Sequence, residues 1–254
     1  WTPLTPMLDP AYAHAVVYGE GKLYVFGGST NAANLNSTRI YDIGSNTWSY
    51  GEPMPDRRAY LMAGYYAGRV YVVGGADDYS VTRKQPWAYD IASDTWSSRA
   101  DAPVVLAEAG AAVAGGRLYV LGGRDANYQP LRTVYDYDPA TDIWRARADM
   151  TLEHRAPGTA VVLGRVWVIG GVTDYSVTGV TELYDPAADT WTAGPTLNVP
   201  RSMIGAAGVD RAAVAVGGFD GSGTSLAAVE ISVQMDSLCA PVYVPAALMN
   251  GGQP

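Results

Sequence analysis

Short apolar runs interrupt the chain at regular intervals, and each is too short and too rich in β-formers to be a helix. The strongest are Leu23-Tyr24-Val25-Phe26, Val70-Tyr71-Val72-Val73, Leu118-Tyr119-Val120-Leu121 and Val166-Trp167-Val168-Ile169. Such runs, bounded by turn residues, read as strands. Before them come weaker runs of small residues, such as Ala13–Val17 and Gly110–Ala114, with tight turns at Gly19-Glu20-Gly21 and Ala114-Gly115-Gly116. Each strong run ends on a glycine pair: Gly27-Gly28, Gly74-Gly75, Gly122-Gly123, Gly170-Gly171 and Gly217-Gly218. The steps between pairs are 47, 48, 48 and 47 residues. A polar loop and a third strand follow, ending on Tyr41-Asp42, Tyr89-Asp90, Tyr137-Asp138 or Tyr184-Asp185. Seven residues beyond each of these tyrosines stands Trp48, Trp96, Trp144 or Trp191.

Three landmarks in phase over four copies imply one repeated four-stranded unit. The strands do not alternate cleanly, which suits sheets packed on both faces. Small residues in the first strand suit the narrow space near an axis, and a tryptophan farther out suits the widening gap. The reading is an all-β propeller of five four-stranded blades. The fifth unit lacks a tryptophan at its end, while Trp1 lies 47 residues before Trp48. The N-terminal strand is therefore expected to complete the last blade. The alternative is a fragment lacking upstream blades. The landmarks together resemble the kelch repeat over residues 1–233, and Pro200-Arg201 matches a Pro-Arg often found before the first strand. The resemblance implies a kelch-type β-propeller over 1–233, of a bacterial, secreted type. Residues 234–254 form a tail outside the repeat.

Composition narrows the function classes. Net charge is −8, and an acidic surface repels phosphate backbones, so no nucleic acid partner is expected. No apolar run is long enough to span a bilayer. The single cysteine, Cys239, allows no internal disulfide. A chain opening at Trp1 fits a processed product, and the expected location is extracellular or at the cell surface. His14 and His154 have no partners at ligand spacing, so no metal or other cofactor is expected. No catalytic set can be assembled: there is no Gly-x-Ser-x-Gly elbow, and no Gly-Lys-Ser/Thr follows the glycine pairs.

What remains is a binding face. Arg58 and Arg201 precede their glycine pairs by 16 residues and Arg155 by 15, which places them at one end of the channel. Glu108 and His154 lie near the same level. These five are the candidate ligand residues at the channel mouth, weighed against arginines that only bond backbone between blades. Tyr79, Tyr128 and Tyr175 follow the glycine pairs and are candidate loop contacts, or covers for the blade tops. Asp78–Thr82 and Asp174–Thr178 are identical in sequence. The leading expectation is a non-enzymatic interaction module for protein or glycan, with possible homo-oligomerisation through the tail. The resemblance also leaves open a sugar epimerase or mutarotase similar to kelch-type sialic acid epimerases. A third reading is a structural subunit of a surface array or filament.

Overall fold

Each double glycine ends the second strand of an antiparallel meander, and the meanders follow one another around an axis. A computed structural model describes residues 2–174 and 176–233. Blade one holds β1 (Ala15–Gly19), β2 (Lys22–Phe26), β3 (Thr38–Asp42) and β4 (Thr47–Gly51). Blade two holds β5 (Ala59–Tyr66), β6 (Arg69–Ala76), β7 (Trp87–Asp90) and β8 (Thr95–Ser98). Blade three holds β9 (Gly110–Ala114), β10 (Arg117–Leu121), β11 (Val134–Asp138) and β12 (Ile143–Arg147). Blade four holds β13 (Gly158–Val162), β14 (Arg165–Thr173), β15 (Ser176–Asp185) and β16 (Thr190–Ala193). Blade five holds β17 (Gly205–Val209), β18 (Ala212–Val216) and β19 (Val229–Val233). The first strands pack side by side at the centre: β1 on β5, β5 on β9, β9 on β13, β13 on β17. The result is a five-bladed β-propeller.

Blade five has three strands among the described residues. Trp1, the landmark of the expected closing strand, lies outside them, as do residues 234–254 with Cys239. Residues 2–7 form no strand. They instead lie across the outer hairpin of blade one.

The core sits between blades. Phe26 and Tyr24 of blade one meet Leu61, Val70 and Tyr89 of blade two, and Tyr71 and Val73 of blade two meet Leu118 and Tyr137 of blade three. Each such side chain contributes about 1.5–3 kcal/mol by leaving water. The glycine pairs are needed for two reasons. Both glycines have left-handed φ, and a Cβ on the first would press into the next blade's backbone at Arg58, Leu106, His154 or Arg201. The second glycine's N–H bonds that same carbonyl, from Gly28 to Arg58 at 2.9 Å through Gly171 to Arg201 at 2.8 Å.

The Tyr, Asp and Trp landmarks form a rivet at the outer rim. Tyr89 donates to Asp94 Oδ1 at 2.6 Å, and Asp94 Oδ1 also accepts the Glu52 N–H at 2.7 Å. Trp96 Nε1 donates to the Glu52 carbonyl at 2.8 Å. Blade two thus grips the segment leaving blade one. Trp144 grips Ala100 and Trp191 grips Ala148 in the same way. Trp48 grips Thr5, which lies four residues after Trp1, as Glu52 does after Trp48.

Identical sequences need not fold alike. In blade two, Asp78–Thr82 is a turn closed by a bridge between Ala76 and Thr82. In blade four, Ser176, Val177 and Thr178 belong to β15, paired with β14 past a register shift at Ile169/Gly171. The residues that follow explain the difference. Arg83-Lys84-Gln85-Pro86 brings a proline that cannot donate to a ladder, whereas Val180-Thr181 continues a strand.

Candidate binding site at the channel mouth

Five non-glycine residues enter the first strands with left-handed φ: Ala13, Tyr60, Glu108, Ala156 and Met203. They are one position repeated in each blade. The strain, about 1–3 kcal/mol for such a backbone, is held by a run of four blade-to-blade bonds. The N–H of Tyr60 donates to Ala13, Glu108 to Tyr60, Ala156 to Glu108 and Met203 to Ala156, at 2.7–3.1 Å. The mouth of the channel is thus a rigid rim from which side chains of very different chemistry project.

Tyr60 and Glu108 are the chemistry-bearing pair on that rim. Arg124, the residue immediately after the third glycine pair, donates from Nε to Glu108 Oε1 at 2.7 Å. Its guanidinium lies 3.9 Å from the centre of the Tyr128 ring, a cation–π contact. Arg155 approaches the other carboxylate oxygen of Glu108 at 3.3 Å, yet its buried Nε makes no aligned hydrogen bond. Burial raises the Tyr60 phenol above its ordinary pKa, and the Glu108 charge adds to this. Beside these groups opens a cavity of about 560 Å³, lined among others by Asn34, Tyr60, Tyr79, Glu108, Arg124 and Tyr128. Its walls are tied together. The Asn34 N–H donates to Asp78 at 2.6 Å, joining the loops of blades one and two.

The structure brings Glu108, Arg155, Tyr79 and Tyr128 to this region. It withdraws three expected ligand residues. Arg58 is 1% exposed; it donates to both Asp56 oxygens and to the carbonyls of Gly74 and Gln85. Arg201 is buried against the carbonyls of Val199, Gly217 and Ala228 and pairs with Glu230. His154 is buried with Nδ1 on the Gly170 carbonyl at 2.7 Å and Nε2 on Glu182 at 3.2 Å. The correction has a simple cause. Position 16 before the glycine pair is a clamp on the first glycine's carbonyl. His154, not Arg155, is in phase with Arg58 and Arg201. Blade one fills this role from β3, where Arg39 donates to the Gly27 carbonyl, and blade three has Leu106 in the apolar core. Burial pushes Glu182 up, but hydrogen bonds from His154 and Thr151 hold it below its ordinary pKa. Tyr175 lies outside the described residues.

Tyr60 and Arg124 did not emerge as candidates from sequence. Their signal was the repeat phase itself: Tyr60 shares the position of Glu108, and Arg124 that of Ser29, Ala76, Val172 and Phe219. The loop acids are turn-formers. Asp77, Asp125 and Asp220 each accept two backbone N–H groups of their own loop. Among the described residues no group of three or more His, Cys, Asp or Glu is placed to hold a metal ion.

A propeller of glycine-paired blades with a polar mouth and aromatic loops defines a class of repeat scaffold. The model of the KLHDC2/KLHL20/DRC7 Kelch-repeats domain matches residues 2–146, over half of the chain, and that of the Kelch motif matches 155–198. The chain belongs to the kelch-repeat family. It is 31% identical over 75 residues to Kelch-like protein 7 of Rattus norvegicus, covering 30% of this chain and 13% of that protein. It is 34% identical over 77 residues to the Leucine-zipper-like transcriptional regulator 1 homolog of Drosophila melanogaster, covering 28% and 8%. The chain thus spans a small fraction of these relatives. A solved structure titled "Structure of YjhT" superposes with a TM-score of 0.82 at 16% identity, over 92% of this chain and 87% of that one, a likeness of fold alone.

Proposed function

We propose that this propeller is a protein-interaction module that receives a peptide segment of its partner at the channel mouth. The observation that carries this reading is the set of exposed aromatic loops around a polar cavity on a rigid rim. Tyr79 is 87% exposed, and Tyr128 and Val81 are also exposed on the same face. Tyrosines beside an arginine are the composition of binding hot spots, and a pre-organised rim lowers the ordering cost of binding. The cavity's hydrogen-bonding groups suit a peptide backbone. A sugar-converting reading keeps only Glu108 and Arg155 of its proposed residues, because Arg58 and Arg201 are taken up by the fold.

The test is selection of peptides from a random display library on the immobilised propeller, followed by titration against Tyr79→Ala/Tyr128→Ala. Selected peptides should lose at least about thirtyfold in affinity for the double variant, the loss expected of Tyr79→Ala alone. Peptides that bind both proteins equally would overturn the mouth as the site. Binding to a glycan array with none to peptides would favour the carbohydrate reading.

A further inference from the structure

The cavity between the loops of blades one, two and three has one charge left unpaired. Its charged lining is Asp77, Asp78, Glu108 and Arg124. Asp77 is neutralised by Arg83. Glu108 takes Arg124 at 2.7 Å, and Arg155, which stands outside the lining, at 3.3 Å. Arg124 is buried and engaged: Nε donates to Glu108, Nη1 to the Asp125 carbonyl at 3.3 Å, and its flat face lies on Tyr128. The loop of blade one, residues 29–37, brings no charge. Asp78 remains. Its Oδ1 accepts the Asn34 N–H at 2.6 Å, which fixes the carboxylate at the cavity wall, and no cation among the described residues pairs with it.

The uncharged walls favour the same sign of ligand. Tyr60, Tyr79 and Tyr128 line the cavity, and the face of a phenol ring is electron-rich, so it attracts cations. The chain already uses this chemistry once, where Arg124 lies 3.9 Å from the centre of the Tyr128 ring. Tyr79, exposed and adjacent to Asp78, carries no such cation among the described residues. The Tyr60 phenol senses the same field: beyond the effect of burial, the Glu108 charge raises its pKa by more than Arg124 lowers it. A metal ion is the poorer fit, because one open carboxylate offers too few oxygens. At longer range the net charge of −8 draws basic partners toward the chain.

We propose that the partner segment received at the mouth is basic, and that one of its arginines enters this cavity, pairing with Asp78 and stacking on Tyr79. The inference rests on the peptide-binding reading above and adds the partner's chemistry to it. A guanidinium fits better than an ammonium, because its plane lies flat on a ring while its edge donates to a carboxylate. Arg124 does both between Tyr128 and Glu108. An acidic segment would bring like charge to Asp78 and be rejected.

The probes are short peptides selected on the native propeller from a random display library, then synthesised with arginine and with citrulline, its neutral analogue. Both forms are titrated into the native protein and Asp78→Asn, which keeps an acceptor for the Asn34 N–H and so the tie between the loops. The selected peptides should carry arginine. Asp78→Asn should weaken the arginine form about fivefold, the upper range for an exposed ion pair, and leave the citrulline form unchanged, so that the two losses are coupled. Peptides that need Tyr79 and Tyr128 but lack arginine, or whose arginine form binds native and Asp78→Asn protein equally, would overturn this inference and leave the peptide site standing. Peptides indifferent to Tyr79→Ala/Tyr128→Ala would overturn both.

Discussion

The outer rim and the channel mouth are built by the same repeat to opposite rules. At the rim, four hairpins use the same residues and the same bonds: Tyr to Asp or Asn, Trp to a carbonyl four residues past the preceding Trp. At the mouth, one strained backbone position carries Ala13, Tyr60, Glu108, Ala156 and Met203. The rim is uniform because its task, holding one blade to the next, is the same everywhere. At the mouth the blade-to-blade bonds of this position are backbone bonds, so its side chains are free to differ from blade to blade. Chemistry gathers where the repeat leaves side chains unconstrained.

Exchanging damage between clamp and mouth separates the two rules. The largest effect is expected from Arg58→Met. It leaves the Gly74 and Gln85 carbonyls without their donor, and should lower stability by about 2–4 kcal/mol, read from urea denaturation. Its folded fraction should bind a selected peptide as the native protein does. Tyr79→Ala should do the reverse: a loss of about 2 kcal/mol in peptide affinity with stability within about 0.5 kcal/mol. Tyr137→Phe removes one rim bond to Asp142, of 2.6 Å, and should lower stability by about 1 kcal/mol without touching binding.

The mildest probe is acid. Glu182 and Glu230 are held below their ordinary value of 4.5, despite burial, by their hydrogen-bond donors. A carboxyl with a depressed folded pKa adds stability above its unfolded pKa and loses it as pH falls through the folded value. Stability should therefore decline from about pH 4.5 downward, as read from urea midpoints. Glu182→Gln should be less stable at neutral pH and show a shallower acid slope.

The blades were legible because glycine, tyrosine and tryptophan do jobs that no other residue does at those places. The first strands lie at the axis, as the small residues implied. The site was only half legible. Spacing put Arg58 and Arg201 at one repeat position, but a repeat position does not distinguish a side chain turned into the lumen from one turned into the blade. The carbonyl of the first glycine, set by a left-handed φ, decides that question, and it is visible only in three dimensions. Arg124 and Tyr60 are single substitutions at variable positions, so no motif marks them. Asp78–Thr82 and Asp174–Thr178 share a sequence but not a conformation because their neighbours choose between turn and strand.

The most direct test is calorimetric titration of one library-selected peptide into the native propeller, Tyr79→Ala and Arg58→Met, each below its melting temperature. A mouth that binds independently of the clamps predicts roughly thirtyfold weaker binding for Tyr79→Ala and unchanged affinity for folded Arg58→Met. Native affinity in Tyr79→Ala, or affinity lost in folded Arg58→Met, would contradict it.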